Sequence, residues 1–457
     1  MKNNDTIAAV ATALGTAAVS IVRLSGPQSL DIAAAVFAAS DKTRVKDFAP
    51  YRLYTGLLTG GRVSDRCMCV VFKAPHSYTG KDCAEFHCHG GVKLTECVLQ
   101  ELLSRGARLA LAGEFTKRAF MNGKLDLSAA EGIADLINAQ SEAEINAGFS
   151  LLSGALRDKL TGLQNKLTAG LAEIDAAADY PEEYDGKELS KRVNSGVYGA
   201  LKELKALEKT YRNGALIRNG INCAIIGMPN TGKSSLMNAL LGCERAIVTA
   251  EAGTTRDTVS ESFSCNGIRV NLIDTAGIRR AKNNIESLGI ERGKAAARGA
   301  DIIIYVQDYD SETIPAGFAD VLKGKKHIFA VNKIDDLAQC VKYNSGQFSV
   351  LNSQLNKIYI SAKEGHFIGE LKQLITALCL DKDFAAGGAV ISNVRHLDAV
   401  RKAADSLTEA LSAPENTPLE MRYVDIKSAW DALGVITGAT AGEEIIDALF
   451  SSFCVGK

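Results

Sequence analysis

Gly227-Met228-Pro229-Asn230-Thr231-Gly232-Lys233-Ser234 has the form G-x-x-x-x-G-K-S. It follows the apolar run Cys223 to Ile226, which predicts a strand, and precedes Ser235-Leu236-Met237-Asn238-Ala239-Leu240-Leu241, which predicts a helix. Glycines let backbone N–H groups wrap around phosphate, and the N-terminus of the following helix supplies a positive dipole. Lys233 can then reach the β- and γ-phosphates of a nucleotide, and Ser234 can ligate Mg²⁺. A strand, a glycine-rich loop and a helix in this order point to an open α/β sheet with a ligand at its strand ends.

Three segments extend the reading outward. Asp274-Thr275-Ala276-Gly277 ends the run Val270 to Ile273, where the carboxylate can hold Mg²⁺ and the Gly277 N–H can sense a γ-phosphate. Asn332-Lys333-Ile334-Asp335 ends the run Ile328 to Val331, and Asp335 can accept the N1 and N2 protons of guanine, a donor pair that adenine lacks. Ser361-Ala362-Lys363 closes the next strand and would back the base with a main-chain donor. The stretch from about Ile221 to about Leu380 is therefore read as a complete Ras-like P-loop domain that binds and hydrolyses GTP. Ile278 stands where small GTPases keep a water-orienting glutamine, so another group must assist hydrolysis. Asn230 offers two readings: an oxygen ligand for a monovalent cation beside the phosphates, or a residue that stabilises a turn.

The 457 residues leave room for further domains, and 46% hydrophobic with 23% charged residues is ordinary for a globular chain. A formal net charge of −1 means that any RNA contact must rest on local basic patches. Eleven cysteines without a secretory pattern at the N-terminus predict free thiols in a reducing cytoplasm. No apolar run approaches the roughly 18 residues needed to cross a membrane. From Thr6 to about Gly123, β-branched runs separated by Gly and Pro predict a small α/β domain. Leu152, Leu156, Leu160, Leu163, Leu167, Leu171 and Ile174 then mark one face of a long helix. Tyr180-Pro181 breaks it, and Val193, Val197, Leu201, Leu204 and Leu207 mark a second helix. Helical spacing returns after Val394. Two flanking helical blocks with apolar stripes should pack on each other, with the GTPase module inserted between them. The expected fold is multidomain, α/β and all-α: residues 1–122, a discontinuous helical domain at 123–218 and 381–457, and the P-loop domain at 219–380.

The chain resembles the tRNA-modification GTPase family MnmE (TrmE). The resemblance rests on Asp5-Thr6-Ile7-Ala8-Ala9 through Arg23-Leu24-Ser25-Gly26, on Ser77-Tyr78-Thr79-Gly80-Lys81-Asp82, and on Glu85-Phe86-His87-Cys88-His89-Gly90-Gly91. It extends through Gly113-Glu114-Phe115-Thr116-Lys117-Arg118-Ala119-Phe120-Met121-Asn122-Gly123-Lys124-Leu125-Asp126-Leu127 to the final Cys454-Val455-Gly456-Lys457. It implies an N-terminal folate-binding domain that forms a homodimer, a helical domain, and a flavoprotein partner, MnmG (GidA), which carries FAD. Together they would place an aminomethyl or carboxymethylaminomethyl group on C5 of the wobble uridine of certain tRNAs. The cofactors implied are GTP, Mg²⁺, K⁺ and 5-formyl- or methylene-tetrahydrofolate.

By the same resemblance, the nucleotide is held by Asn230, Thr231, Gly232, Lys233, Ser234 and Ser235 and by the loop Thr249-Ala250-Glu251-Ala252-Gly253-Thr254-Thr255. K⁺ would sit on Asn230, Thr249, Glu251 and Thr254, and Thr255 would join Ser234 on Mg²⁺. Glu286 would orient the attacking water; its own surroundings, without the resemblance, favour a solvated helix-surface charge. Arg23, Glu85, Lys124 and Lys457 would bind folate, since a pterin offers adjacent N–H donors to a carboxylate and its glutamate tail needs cations. Cys454 is either a reactive thiol near the one-carbon unit or a small apolar residue. Glu85, His87 and His89 alternate on one strand face, with Cys88 expected on the other, so a zinc site is disfavoured. Where the family reads T-P-P-G-R-G, this chain has Thr12-Ala13-Leu14-Gly15-Thr16-Ala17, losing a rigid turn and a basic side chain.

A regulatory GTPase in ribosome assembly would share every nucleotide motif. It has no reason to carry the Glu114 to Leu127 block or the Cys454 to Lys457 segment. Intact Lys233, Ser234, Asp274 and Asp335 argue against a vestigial GTPase.

Overall fold

The computed structural model describes residues 5–61, 63–242, 261–273, 286–309, 316–344, 356–381, 388–414 and 417–457. Two compact units result, one of residues 1–134 with 431–457 and the other of residues 135–430.

In the first unit, seven strands form one sheet: β1 (Ile7–Val10), β2 (Ala17–Ser25), β3 (Phe37–Ala39), β4 (Tyr54–Gly60), β5 (Val63–Phe72), β6 (Cys83–Gly90) and β7 (Arg108–Leu109). Their order is β3-β4-β5-β6-β2-β1-β7. Alternation decides which side chains are buried. Val22, Leu24, Phe86 and Cys88 point into a core with Val98 and Leu102 of the helix Val92–Ser104. Arg23, Glu85 and His87 alternate with them and so face the other way, where the helix Glu114–Met121 lies and Phe115 packs with Ile7, Ala9 and Ala110. The helix Glu443–Ser451 closes this unit through Phe450 and Phe453, which pack with Leu127 and Phe120.

The second unit holds a six-stranded sheet in the order β13-β12-β11-β8-β10-β9. The strands are β8 (Ile221–Ile226), β9 (Ser262–Cys265), β10 (Ile268–Ile273), β11 (Ile302–Asp308), β12 (His327–Asn332) and β13 (Lys357–Tyr359). All neighbours are parallel except β9, which pairs antiparallel with β10. Hydrophobic strands alternating with helical stretches predict a parallel sheet covered on both faces, and β9 is the exception. Asn266 and Gly267, both at positive φ, form the two-residue hairpin that adds this antiparallel edge. One face buries Leu236, Met237, Val270, Ile304 and Ile328, and the other buries Ala297, Ile303, Tyr305 and Phe318.

The helical part of this unit corrects one expectation. Leu152 does not lie on the long helix; it ends the separate helix Glu142–Leu152, and the long helix runs Ala155–Asp179. Between them Gly154 takes φ +87°, a left-handed turn that a helix interior cannot contain. Leu156 to Ile174 are buried as expected, and the 3₁₀ turn Pro181–Glu183 ends the stripe. Asp185 caps the next helix, Gly186–Lys209, by accepting from the Lys187 and Glu188 N–H groups at 2.9 and 3.4 Å. The early and late helical blocks do meet. Arg401 of the helix Val394–Ser412 donates to Glu208 at 2.7 Å, and Arg422 donates to Asn194 at 3.1 Å.

Candidate functional site

The phosphate loop joins β8 to the helix Lys233–Gly242, and three features fix its shape. Gly227 lies so close to β11 that a Cβ would stand 2.2 Å from the Val306 carbonyl oxygen. At Gly232, a Cβ would stand 2.2 Å from Asn332 Nδ2. Asn230 takes φ +63°, a left-handed conformation that asparagine tolerates and most residues do not. Thr231 donates to the Met228 carbonyl at 2.9 Å, and Lys233 Nζ donates to the same oxygen at 2.6 Å. Burial holds the Lys233 ammonium below the usual lysine range. A desolvated cation of this kind is poised to gain from an anion, because low dielectric strengthens the attraction.

One residue ties this loop to the two neighbouring strand ends. Asn332 Nδ2 donates to the Thr231 carbonyl at 2.9 Å, while its Oδ1 accepts from the Ala362 N–H at 2.9 Å. Asp335 is aimed by Ser361, whose hydroxyl donates to Oδ1 at 2.6 Å, and Lys363 Nζ stands 4.0 Å from Oδ2. Lys333, at φ +70°, pairs with Asp308. Asn230, Thr231, Gly232, Lys233, Ser234 and Ser235 thus lie at one end of the sheet with Asn332, Lys333, Asp335, Ser361, Ala362 and Lys363. Thr249 to Thr255 and Asp274 to Gly277 lie outside the described residues, and Glu286 is placed only as the first residue of the helix Glu286–Gly299.

A second cluster lies in the first unit. Arg23 and Glu85 are directly paired across β2 and β6, and Arg23 Nε donates to Glu85 Oε1 at 2.7 Å. The guanidinium sits between the rings of Tyr78 and Phe115, 5.6 and 5.7 Å from their centroids. Tyr78 is held by a 2.8 Å hydrogen bond with Thr116. His87 Nε2 stands 3.6 Å from Glu85 Oε2, beyond hydrogen-bond range.

The C-terminal segment brings a second cation. Val455 bridges to Ala112, Gly113 N–H donates to the Cys454 carbonyl at 3.3 Å, and Phe115 N–H donates to the Lys457 carbonyl at 3.1 Å. Gly456 turns at φ +98°, where a Cβ would stand 2.2 Å from the Val10 carbonyl oxygen. Burial, reinforced by the charge of Arg23, holds the Lys457 ammonium below its usual range. Two cations and one carboxylate share this half-buried face, so it favours an anionic ligand that also offers N–H donors. Lys124 is exposed beside Gly80, on the loop that Asn122 fastens by donating to the Thr79 carbonyl at 2.6 Å. Cys454 is exposed, which the small-apolar-residue reading does not explain. Asp65, Cys67 and Cys88 lie together in the buried core on the face away from Glu85. His89 is mostly exposed, with Nδ1 2.6 Å from Asp65 Oδ1.

Sequence reasoning did not find Tyr78 and Phe115 as flanks of Arg23. It also missed what Glu114 and Arg118 do. Arg118 Nη2 donates to Glu114 at 2.9 Å and pairs with Asp5, while Arg108 donates to both carboxylates of Glu114 and Asp5 at 2.7 and 2.9 Å. This ion network, buried at Glu114 and Arg118 and open to solvent at Arg108, joins the start of β1 to the helix Glu114–Met121.

The family model described as the GTP-binding protein TrmE N-terminus matches residues 6–124, and that of the MnmE helical domain matches residues 127–454. The chain belongs to the MnmE family. Among curated relatives, the tRNA modification GTPase MnmE of Alkaliphilus metalliredigens is 38% identical over 461 residues, 99% of either chain. That of Clostridioides difficile is 37% identical over 459 residues, again 99% of each. Together the two family models span residues 6–124 and 127–454, which include the seven-stranded sheet and the sheet of β8 to β13. No helix among the described residues is long and apolar enough to cross a membrane.

Proposed function

We propose that the chain is the GTP-hydrolysing component of an enzyme that modifies C5 of the wobble uridine in tRNA. It would act as a homodimer with a flavoprotein partner, MnmG (GidA), which carries FAD, and add an aminomethyl or carboxymethylaminomethyl group from a folate one-carbon unit. The division into residues 1–122, 123–218 with 381–457, and 219–380 belongs to the same proposal. The observation that carries it is the turn at Gly456, after which the Lys457 carbonyl accepts from the N–H of Phe115, the residue whose ring flanks Arg23. A pterin ring presents N–H donors that suit the Glu85 carboxylate, and a polyglutamate tail presents carboxylates that suit Lys457 and Lys124. A ribosome-assembly switch has no use for that cluster.

On the nucleotide side, Asp335 would read guanine and Lys233 would hold the β- and γ-phosphates. Ser234 and Thr255 would hold Mg²⁺, which supplies charge neutralisation at the phosphates. Asn230, Thr249, Glu251 and Thr254 would hold K⁺, and Glu286 would position water. The left-handed turn at Asn230 fits that role and equally fits a simple turn residue, so salt dependence has to separate the two. Isothermal titration with 5-formyltetrahydrofolate tests the folate half of the reading: saturable binding by wild type that Lys457→Ala weakens at least tenfold supports it. No binding by wild type contradicts it.

A further inference from the structure

The helix Gly186–Lys209 carries lysines at 187, 191, 202, 205 and 209, all exposed. With 3.6 residues per turn these positions, together with Ser195 and Tyr198, fall within an arc of about 80°. Tyr198 stands among them 64% exposed. Leu189, Val193, Val197, Ala200, Leu204 and Leu207 occupy the opposite side and are buried. The lysines thus form a straight ridge about 33 Å long, at 1.5 Å rise per residue.

Acidic residues on the same helix do not neutralise the ridge. Glu203 turns to Lys159 and Lys166 of the helix Ala155–Asp179, Glu208 to Arg401 at 2.7 Å, and Glu188 to Arg192 at 3.5 Å. Every glutamate of this helix is engaged by a cation off the ridge. In a chain of net charge −1, a one-signed row of this length is a local field rather than a share of a general excess.

Resting on the tRNA-modification reading above, we infer that this ridge is the surface that grips a helical arm of the tRNA through its phosphates. A rod of cations suits rows of phosphates along a duplex better than it suits one phosphate or a mononucleotide. Duplex RNA is held mainly by shape, phosphate and 2′-hydroxyl contacts, for which lysines and one tyrosine hydroxyl suffice. An anionic membrane is the less suitable partner. A helix that lies on lipid inserts its apolar face, and here that face is already packed against the neighbouring helices.

The test uses the full-length chain, an unmodified tRNA transcript and the triple variant Lys191→Glu/Lys202→Glu/Lys205→Glu. A milder Lys→Gln triple guards against misfolding. Fluorescence anisotropy across a KCl series gives affinity and salt slope, and GTP hydrolysis without tRNA reports on the intact nucleotide site. Loss of three phosphate contacts should weaken tRNA binding at least tenfold and flatten the slope of log Kd against log salt by about 2.7. GTP hydrolysis without tRNA should be unchanged. If wild type and both variants bind tRNA with equal affinity and slope, the ridge assignment is overturned while the modification reading stands. If the variants lose only binding to phosphatidylglycerol vesicles, the ridge is a membrane surface and the inference fails. If wild type does not bind tRNA, the ridge inference fails, and the modification reading is decided separately by the wobble uridine of cells that lack the chain.

Discussion

Asn332 donates to the Thr231 carbonyl across 101 positions of sequence, and this 2.9 Å bond fastens the phosphate loop to the end of β12 that leads to Asp335. The same side chain accepts from Ala362 N–H. Removing it orphans one buried acceptor and one buried donor, each costing about 1–3 kcal/mol. Asn332→Ala should therefore lower stability by about 2–6 kcal/mol in urea unfolding and weaken GTP binding by more than tenfold. Asn332→Asp can still accept from Ala362 but cannot donate to Thr231, so it should retain part of the stability and little of the affinity. Wild-type values in Asn332→Ala would refute the linkage.

Gly456 and Val10 make a second such test. With φ at +98° and the Val10 carbonyl oxygen where a Cβ would stand, Gly456→Ala must unseat the C-terminal segment. The expected result is loss of 5-formyltetrahydrofolate binding by at least tenfold, with nucleotide affinity within twofold of wild type. Equal losses of both ligands would show that the segment does not serve the Arg23–Glu85 cluster.

Acid should reveal the Asp5–Arg108–Glu114–Arg118 network. Burial works to raise the Glu114 carboxyl, yet hydrogen bonds from Arg108, the Leu111 N–H and Arg118 outweigh it and hold the group below its ordinary value. A carboxylate depressed in the folded state contributes stability above its unfolded pKa of about 4.3, and that contribution is lost as pH falls through the lower folded value. Glu114→Gln should cost about 3 kcal/mol at pH 7, where two guanidinium groups lose a partner, and much less at pH 3. Thermal unfolding from pH 7 to pH 3 measures it; a pH-independent difference would contradict the assignment.

Hydrolysis should depend on the identity of the monovalent cation. No glutamine follows the D-x-x-G motif, and neutralising charge near the β–γ bridge is worth about 10³ to 10⁵ in rate where an arginine supplies it. A pocket sized for K⁺ should hold Na⁺ poorly, so single-turnover hydrolysis should be much faster in KCl than in matched NaCl. Asn230→Ala should bind GTP and lose the difference. Equal rates in both salts would return Asn230 to the role that its φ of +63° explains by itself.

The candidate nucleotide site was legible as a place in the fold because its residues stand in short contiguous motifs at strand ends, so bringing Lys233, Asn332 and Asp335 to one end of the sheet needed only the order of the motifs. The helix stripe from Leu156 to Ile174 was legible from period alone. Leu152 misled because Gly154 breaks the helix without breaking the spacing of the leucines. The antiparallel β9 was announced by Asn266-Gly267, a hairpin turn too short to stand out among apolar runs. Tyr78 and Phe115 were not legible as flanks of Arg23, since 55 and 92 positions separate them and only the sheet brings them together. Resemblance, not spacing, brought Lys457 to Arg23.

Mass spectrometry of wobble uridine in tRNA from cells with and without this chain decides whether the chain serves tRNA modification. The C5 aminomethyl-type modification should disappear in its absence, return with the wild-type chain, and not return with Lys457→Ala or Lys233→Ala. Undiminished modification in cells that lack the chain would contradict it.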